Sequence, residues 1–150
     1  MKFRFSLQKV LDHKRTLEDV ARREWLEAKA AVDQAREQLR KMYEQIDASR
    51  MRAAEIEKEG GPRGNELTQI HEFIVGQRVR IERHRAAMRP LLEEEERKHV
   101  KLVEAAQERK IFEKLKERKY EEFRQKQKKK ELKIMDEIVV TRFRPAEDDL

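Results

Sequence analysis

The sequence predicts an all-α protein, a long two-helix antiparallel coiled-coil hairpin with an overhanging C-terminal helix. Three observations predict it. Three of the four glycines fall in one short stretch, Glu59-Gly60-Gly61-Pro62-Arg63-Gly64-Asn65, together with one of the three prolines. On both sides of that stretch, apolar residues recur at alternating steps of four and three, the spacing of a coiled-coil seam. The chain is 45% charged and 37% hydrophobic, which suits helices sharing one narrow seam better than a globular core. Disorder, the competing expectation for so charged a chain, lacks a sustained apolar period.

The glycine-rich stretch is read as the turn. Gly60 can end a helix in the left-handed conformation that a side chain resists. Pro62 cannot continue that helix, because it lacks an amide hydrogen. Asn65 is placed as the cap of the second helix, with Glu66 at its positive end. The predicted elements are a helix over 3–58, a turn over 59–65 and a helix over 66–142. Residues 1–144 then form a single hairpin, and 145–150 a disordered acidic tail. With the apex near residue 62, residue i lies opposite a residue near 124 − i.

The first arm carries the clearest seam: Ala21, Trp25, Ala28, Val32, Ala35, Leu39, Met42, Ile46, Ser49, Ala53 and Ile56. Upstream, Leu7, Val10, Lys14, Leu17 and Ala21 follow the same rule, with two successive steps of four from Leu17 to Trp25. That double step predicts a stutter, a local unwinding of the supercoil. Alanine layers at Ala21, Ala28 and Ala35 bring helices close, so bulky Trp25 should face something small or polar.

The second arm keeps the period through Leu67, Ile70, Ile74, Gln77, Ile81, His84, Met88 and Leu91, and Leu92 begins a shifted one. The register then sets Val32 opposite Leu92, Ala35 near Met88, Met42 near Ile81, Trp25 against His99, Ala21 against Val103 and Leu11 against Phe112. Pro90 should bend this helix without breaking it, because the heptad resumes within a turn. The run Glu93-Glu94-Glu95-Glu96 points in four directions and reads as a solvated face. The arms are unequal. Glu122 to Arg142 are left without an intrachain partner, with Leu132, Met135, Ile138 and Val139 as a short apolar stripe.

Composition also excludes functions. The absence of cysteine rules out disulfides, thiolate zinc sites and cysteine nucleophiles, and fits a reducing compartment. No segment has the apolar length of a signal peptide or a membrane span, so a soluble cytoplasmic protein is expected. No phosphate-cradling glycine motif is present, and the four histidines are scattered in sequence. Neither catalytic residues, nor a cofactor, nor a metal site is expected. The net charge of +6 sits in one place: Lys114 to Lys133 hold ten basic and four acidic residues, and ten minus four is +6. That stretch invites a reading as a nucleic-acid-binding helical hairpin through phosphate neutralisation. Without interleaved aromatics beyond Phe123, acidic protein partners serve equally well. A generic coiled-coil adaptor or chaperone is the other alternative.

The two ends of the chain carry a resemblance. The opening Phe3-Arg4-Phe5-Ser6-Leu7-Gln8-Lys9-Val10-Leu11-Asp12-His13-Lys14 resembles the start of the flagellar FliJ family. His71-Glu72-Phe73-Ile74 is similar to the start of that family's second helix. Glu117-Arg118-Lys119, Met135-Asp136-Glu137 and Thr141-Arg142-Phe143 resemble its charged C-terminal signature. Pro90 and the lysine run depart from the family's typical features.

The resemblance implies a non-enzymatic component of flagellar type III protein export, similar to the central stalk subunit of rotary ATPases. It implies partners: the hexameric flagellar export ATPase, the cytoplasmic domain of the export-gate membrane protein, and export chaperones. No nucleic acid is expected, and membrane association only through partners, at the inner membrane of the flagellar base. ATPase contacts are expected from Phe3, Arg4, Phe5, Leu7, Tyr120, Phe123, Arg124, Lys128, Met135, Ile138 and Arg142. Contacts with the export gate are expected from Gln38, Met42, Tyr43, Phe73, Gln77 and Arg80.

Overall fold

A computed structural model describes residues 2–143. Among them are two helices and no strand: α1 over Gln8–Glu59 and α2 over Gly64–Phe143. The two helices pack against each other as an all-α hairpin. By internal contacts the chain forms two units. A terminal unit joins residues up to Glu18 with those from Ala105 onward, and a turn unit spans Asp19–Glu104.

The turn forms where glycine and proline concentrate. Gly60 and Gly61 take φ of 72° and 89°, the left-handed region open to glycine without steric cost. The Gly60 amide donates to the Ile56 carbonyl at 3.1 Å and so closes α1. The cap of α2 differs from expectation. The Leu67 amide donates to the Arg63 carbonyl at 3.2 Å, so the helix starts at Gly64 and Asn65 lies inside its first turn. A tight bond from the Arg63 amide to the Gly61 carbonyl, 2.9 Å, redirects the backbone early enough for that start. Arg63 also bridges Glu59 and Glu66 at the two helix ends.

In the turn unit, Val32, Ala35, Ile46, Ile56, Ile81 and Met88 are buried along the seam. Trp25 lies against His99, ring centroids 5.7 Å apart, so this pair sums to 124 as the apex register requires. The expectation that Trp25 faces a polar residue holds. α2 runs unbroken through Pro90. The shifted period expected from Leu92 is not taken. Leu92 and Val103 are exposed, whereas Leu91 and Leu102 are half-buried, so Leu92 is not Val32's seam partner and Val103 is not Ala21's. A coiled-coil partner fixes which side of the helix is covered, and the strict heptad outlasts the apolar pattern.

The terminal unit corrects the upstream seam for the same reason. Buried or half-buried positions on α1 are Leu11, Lys14 and Glu18, one heptad spacing, and not Val10 and Leu17. Leu17 is 41% exposed and Glu18 5%. From Glu18 to Ala21 the step is three, so the stutter expected at Leu17–Ala21–Trp25 is absent. The seam at this point is charged, which a search for apolar spacing passes over.

The start of α1 is also corrected. Residues 2–5 precede any helix, and the Gln8 amide donates to the Phe5 carbonyl at 3.1 Å. Along this segment burial alternates. Phe3, Phe5 and Leu7 are covered, and Lys2, Arg4 and Ser6 are exposed, with residues 6–7 in the turn that leads into the helix. Phe3 of this strap lies against Tyr120 and Phe123 on α2, between which the apex register sets it, and cover persists to Gln127. The unpartnered end of α2 begins at Lys128 and not at Glu122. The acidic tail expected over 145–150 lies outside the described residues.

Candidate protein-interaction site

Among the described residues no group of His, Asp or Glu could hold a metal, and no helix is long and apolar enough to cross a membrane. The surfaces with unusual chemistry are the end of α2 and a cluster in the turn unit.

Every residue of α2 from 128 to 143 is exposed. Seven of them are large apolar side chains: Leu132, Ile134, Met135, Ile138, Val139, Val140 and Phe143. Met135 is 61% and Ile138 49% exposed. At 100° per residue, Leu132, Met135, Val139 and Phe143 share one side. Ile134 and Ile138 adjoin it on one flank and Val140 on the other, so apolar residues cover about two thirds of the circumference. Ile134, Val140 and Phe143 extend the stripe read from the sequence; Phe143 keeps the helical period, and the signal of Ile134 and Val140 was simple apolar density off it. Lys128, Lys129, Lys130, Lys133 and Arg142 are exposed around them. A helix end apolar on so many sides is covered from several directions when it is covered at all.

At the foot of this end the structure brings several expected residues together. The Phe3 ring stands edge-on to Tyr120 at 5.4 Å and tilted against Phe123 at 5.5 Å. Phe5 is buried, and Leu7 half-buried. A cleft lined by Phe3, Arg4, Phe5, Lys119, Phe123 and Lys126 lies beside the strap. Arg124 pairs with Glu121 at 4.0 Å. Phe3, Phe5 and Leu7 thus spend apolar surface on α2 itself. Met135, Ile138, Lys128 and Arg142 lie farther along the same helix.

Behind the strap the seam is ionic. The Arg109 guanidinium donates from Nε and Nη2 to Glu18, and from Nη1 to Glu113 at 2.6 Å. Hydrogen bonding to Glu18, and then its charge, raises the Arg109 pKa further above its ordinary value. Glu113 also pairs with Arg15 at 3.5 Å, and Lys14 with Glu108 at 2.8 Å.

The second expected set is partly assembled. Gln77 is buried, at 3% exposure, and donates to the Met42 carbonyl at 3.3 Å and to Gln45 at 2.7 Å. Arg80 Nε donates to Gln77 Oε1 at 2.8 Å, and its guanidinium lies over the Phe73 ring at 5.5 Å. Tyr43 instead carries Arg85 over its ring, 5.7 Å away. Gln38 belongs to a neighbouring groove with Ala35, His84 and Met88, where His84 Nε2 meets the Ala35 carbonyl at 2.6 Å.

Sequence reasoning missed Gly76. A Cβ there would lie 3.3 Å from an Arg80 nitrogen, so the glycine leaves room for Arg80 to fold down over Phe73 and Gln77. The signal was legible, since Gly76 is the single glycine outside the turn. Gln45 and Arg85 were also missed. They stand off the seam, and only the packing of the two helices reveals them.

Fold and surface define a class: a helical hairpin whose second helix ends in an exposed, largely apolar stretch. The profile of the FliJ family, described as "Flagellar FliJ protein", matches residues 2–147, nearly the whole chain, and the chain belongs to that family. It is a flagellar, export-related protein of a family of structural export components rather than of enzymes. No curated protein and no solved structure matches it.

Proposed function

We propose that this chain is a non-enzymatic coiled-coil stalk of the flagellar export apparatus. The end of α2 enters the pore of the hexameric export ATPase, promotes assembly of its ring, and couples it to the export gate. One observation carries the reading: α2 continues beyond its intrachain cover as an exposed helix apolar on most sides. A flat partner would cover one side of such a helix, and a ring pore encloses all of them. Burying Met135 and Ile138 would contribute about 1.5–3 kcal/mol each. The lysines speed encounter with an acidic lining.

In this reading Phe3, Arg4, Phe5, Leu7, Tyr120, Phe123 and Arg124 form the base of the inserted end, and Lys128, Met135, Ile138 and Arg142 its shaft. Phe73 and Arg80, braced by Gln77 and through it by Met42, meet the cytoplasmic domain of the export-gate protein together with Tyr43 and Gln38. Export chaperones are further partners, and the protein is held at the inner membrane of the flagellar base through them.

The test is co-sedimentation of the full chain with the hexameric export ATPase, with and without nucleotide, alongside a variant carrying Met135→Asp and Ile138→Asp. Binding and ATPase stimulation are expected from the parent and neither from the variant. A variant that stays helical and stimulates normally sinks the insertion of this end.

A further inference from the structure

We infer that the terminal unit is an electrostatic zipper that opens as one piece while the turn unit stays shut, with the Glu18–Arg109 pair as its latch. The inference concerns the chain alone and does not rest on its place in export.

The two units are held differently. The turn unit buries Val32, Ala35, Ile46, Ile56, Ile81 and Met88. The terminal unit buries Phe5 and Leu11 as its apolar residues. Ion pairs between the arms show the opposite bias. Lys14–Glu108, Arg15–Glu113 and Arg109–Glu18 cross the terminal unit, and Lys98–Glu24 crosses the turn unit. Charge even takes the terminal seam itself, since Lys14, Glu18 and Arg109 occupy heptad positions that are buried or half-buried.

The two kinds of closure respond differently to salt. Apolar burial does not weaken as ionic strength rises, but exposed ion pairs are screened over a Debye length of about 10 Å at 0.1 M. A region with few buried apolar contacts opens locally at lower free energy than a packed core does. Glu18 is the exception among these charges, because it is buried. Losing Arg109 takes a charged partner from a buried carboxylate, whereas replacing both residues by leucine removes the cost of desolvating them. Opening would bare α2 from Ala105 to Phe123 and lengthen its unpartnered end. Lys14 would then be open to a carboxylate of an acidic partner, while Arg15 and Arg109 keep Asp12 and Glu113 on their own helices.

Hydrogen exchange on the full chain, read by mass spectrometry at about 0.05 and 0.5 M NaCl, tests this. Amides of 9–18 and 106–120 are expected to exchange at least about tenfold faster than those of 30–55 and 70–90, and faster still at high salt. The turn unit should not respond to salt. Glu18→Leu with Arg109→Leu should slow terminal exchange about tenfold and flatten its salt response, and Arg109→Leu alone should speed it. Equal protection in both units, or a salt response shared by both, overturns the inference. Should the double leucine variant not fold, Lys14→Cys with Glu108→Cys, joined by a short bifunctional thiol crosslinker, decides instead. Its crosslinked form should bring terminal amides to turn-unit rates, and an unchanged exchange after crosslinking overturns the zipper.

Discussion

Trp25 donates its indole N–H to the Glu95 carboxylate across the hairpin at 2.9 Å. The same ring lies against His99 and beneath the Lys29 ammonium. It is the single tryptophan of the chain, so its fluorescence reports on this junction alone. Glu95→Ala should shift the emission to the red and lower stability by about 1 kcal/mol, the scale of a half-exposed bond to a charged acceptor. Unchanged emission in that variant would show that the bond is not kept in solution.

Gln77 is the buried polar residue of the α2 seam, and its amide is met by Met42 and Gln45. Gln77→Ala should cost about 1–3 kcal/mol in urea melts, because it opens a void and removes the side-chain bonds to Met42 and Gln45. Cysteines at Gln45 and Gln77 should join within one chain through a short crosslinker. Crosslinks that form only between chains would mean a swapped pair and not a hairpin.

Gly76→Ala separates stability from binding. Alanine should stabilise the helix by up to about 1 kcal/mol. Its Cβ would stand 3.3 Å from an Arg80 nitrogen, so the guanidinium must shift by a few tenths of an ångström over Phe73. A higher melting temperature with weaker binding to the export-gate domain is the expected pair of results. Tyr43→Ala and Phe73→Ala should weaken that binding at nearly constant melting temperature, since both rings are part-exposed. Equal losses of stability and binding would mark the rings as core.

Lysines at the base of the exposed end should act on rate. Lys128, Lys129 and Lys130 changed together to glutamine should slow association with the export ATPase at low salt and matter little at high salt. Removing residues 146–150 should leave stimulation unchanged. A triple variant whose loss persists at high salt would show that these lysines make lasting contacts.

The hairpin was legible because its causes are local. Gly60 can turn left-handed without cost, and the heptad from Ala21 to Ile56 repeats a side chain type at a fixed angle. The unequal arms followed by counting from the turn. What the sequence could not show is which residues lie under the partner helix when the apolar pattern lapses. Leu17 looked like seam and Glu18 like surface, yet packing reversed them, because the heptad is imposed by the neighbouring helix and Arg109 stands there to meet the carboxylate. Leu92 lost to Leu91 for the same reason. The strap of residues 2–5 was equally hidden: Phe3 reads as the start of a helix, and only α2's aromatic side chains at Tyr120 and Phe123 give its ring a surface to lie on. Local propensity and period belong to the chain alone. Burial belongs to two segments at once, and where a charged pair replaces an apolar layer, the tertiary contact decides which side of the helix is inside.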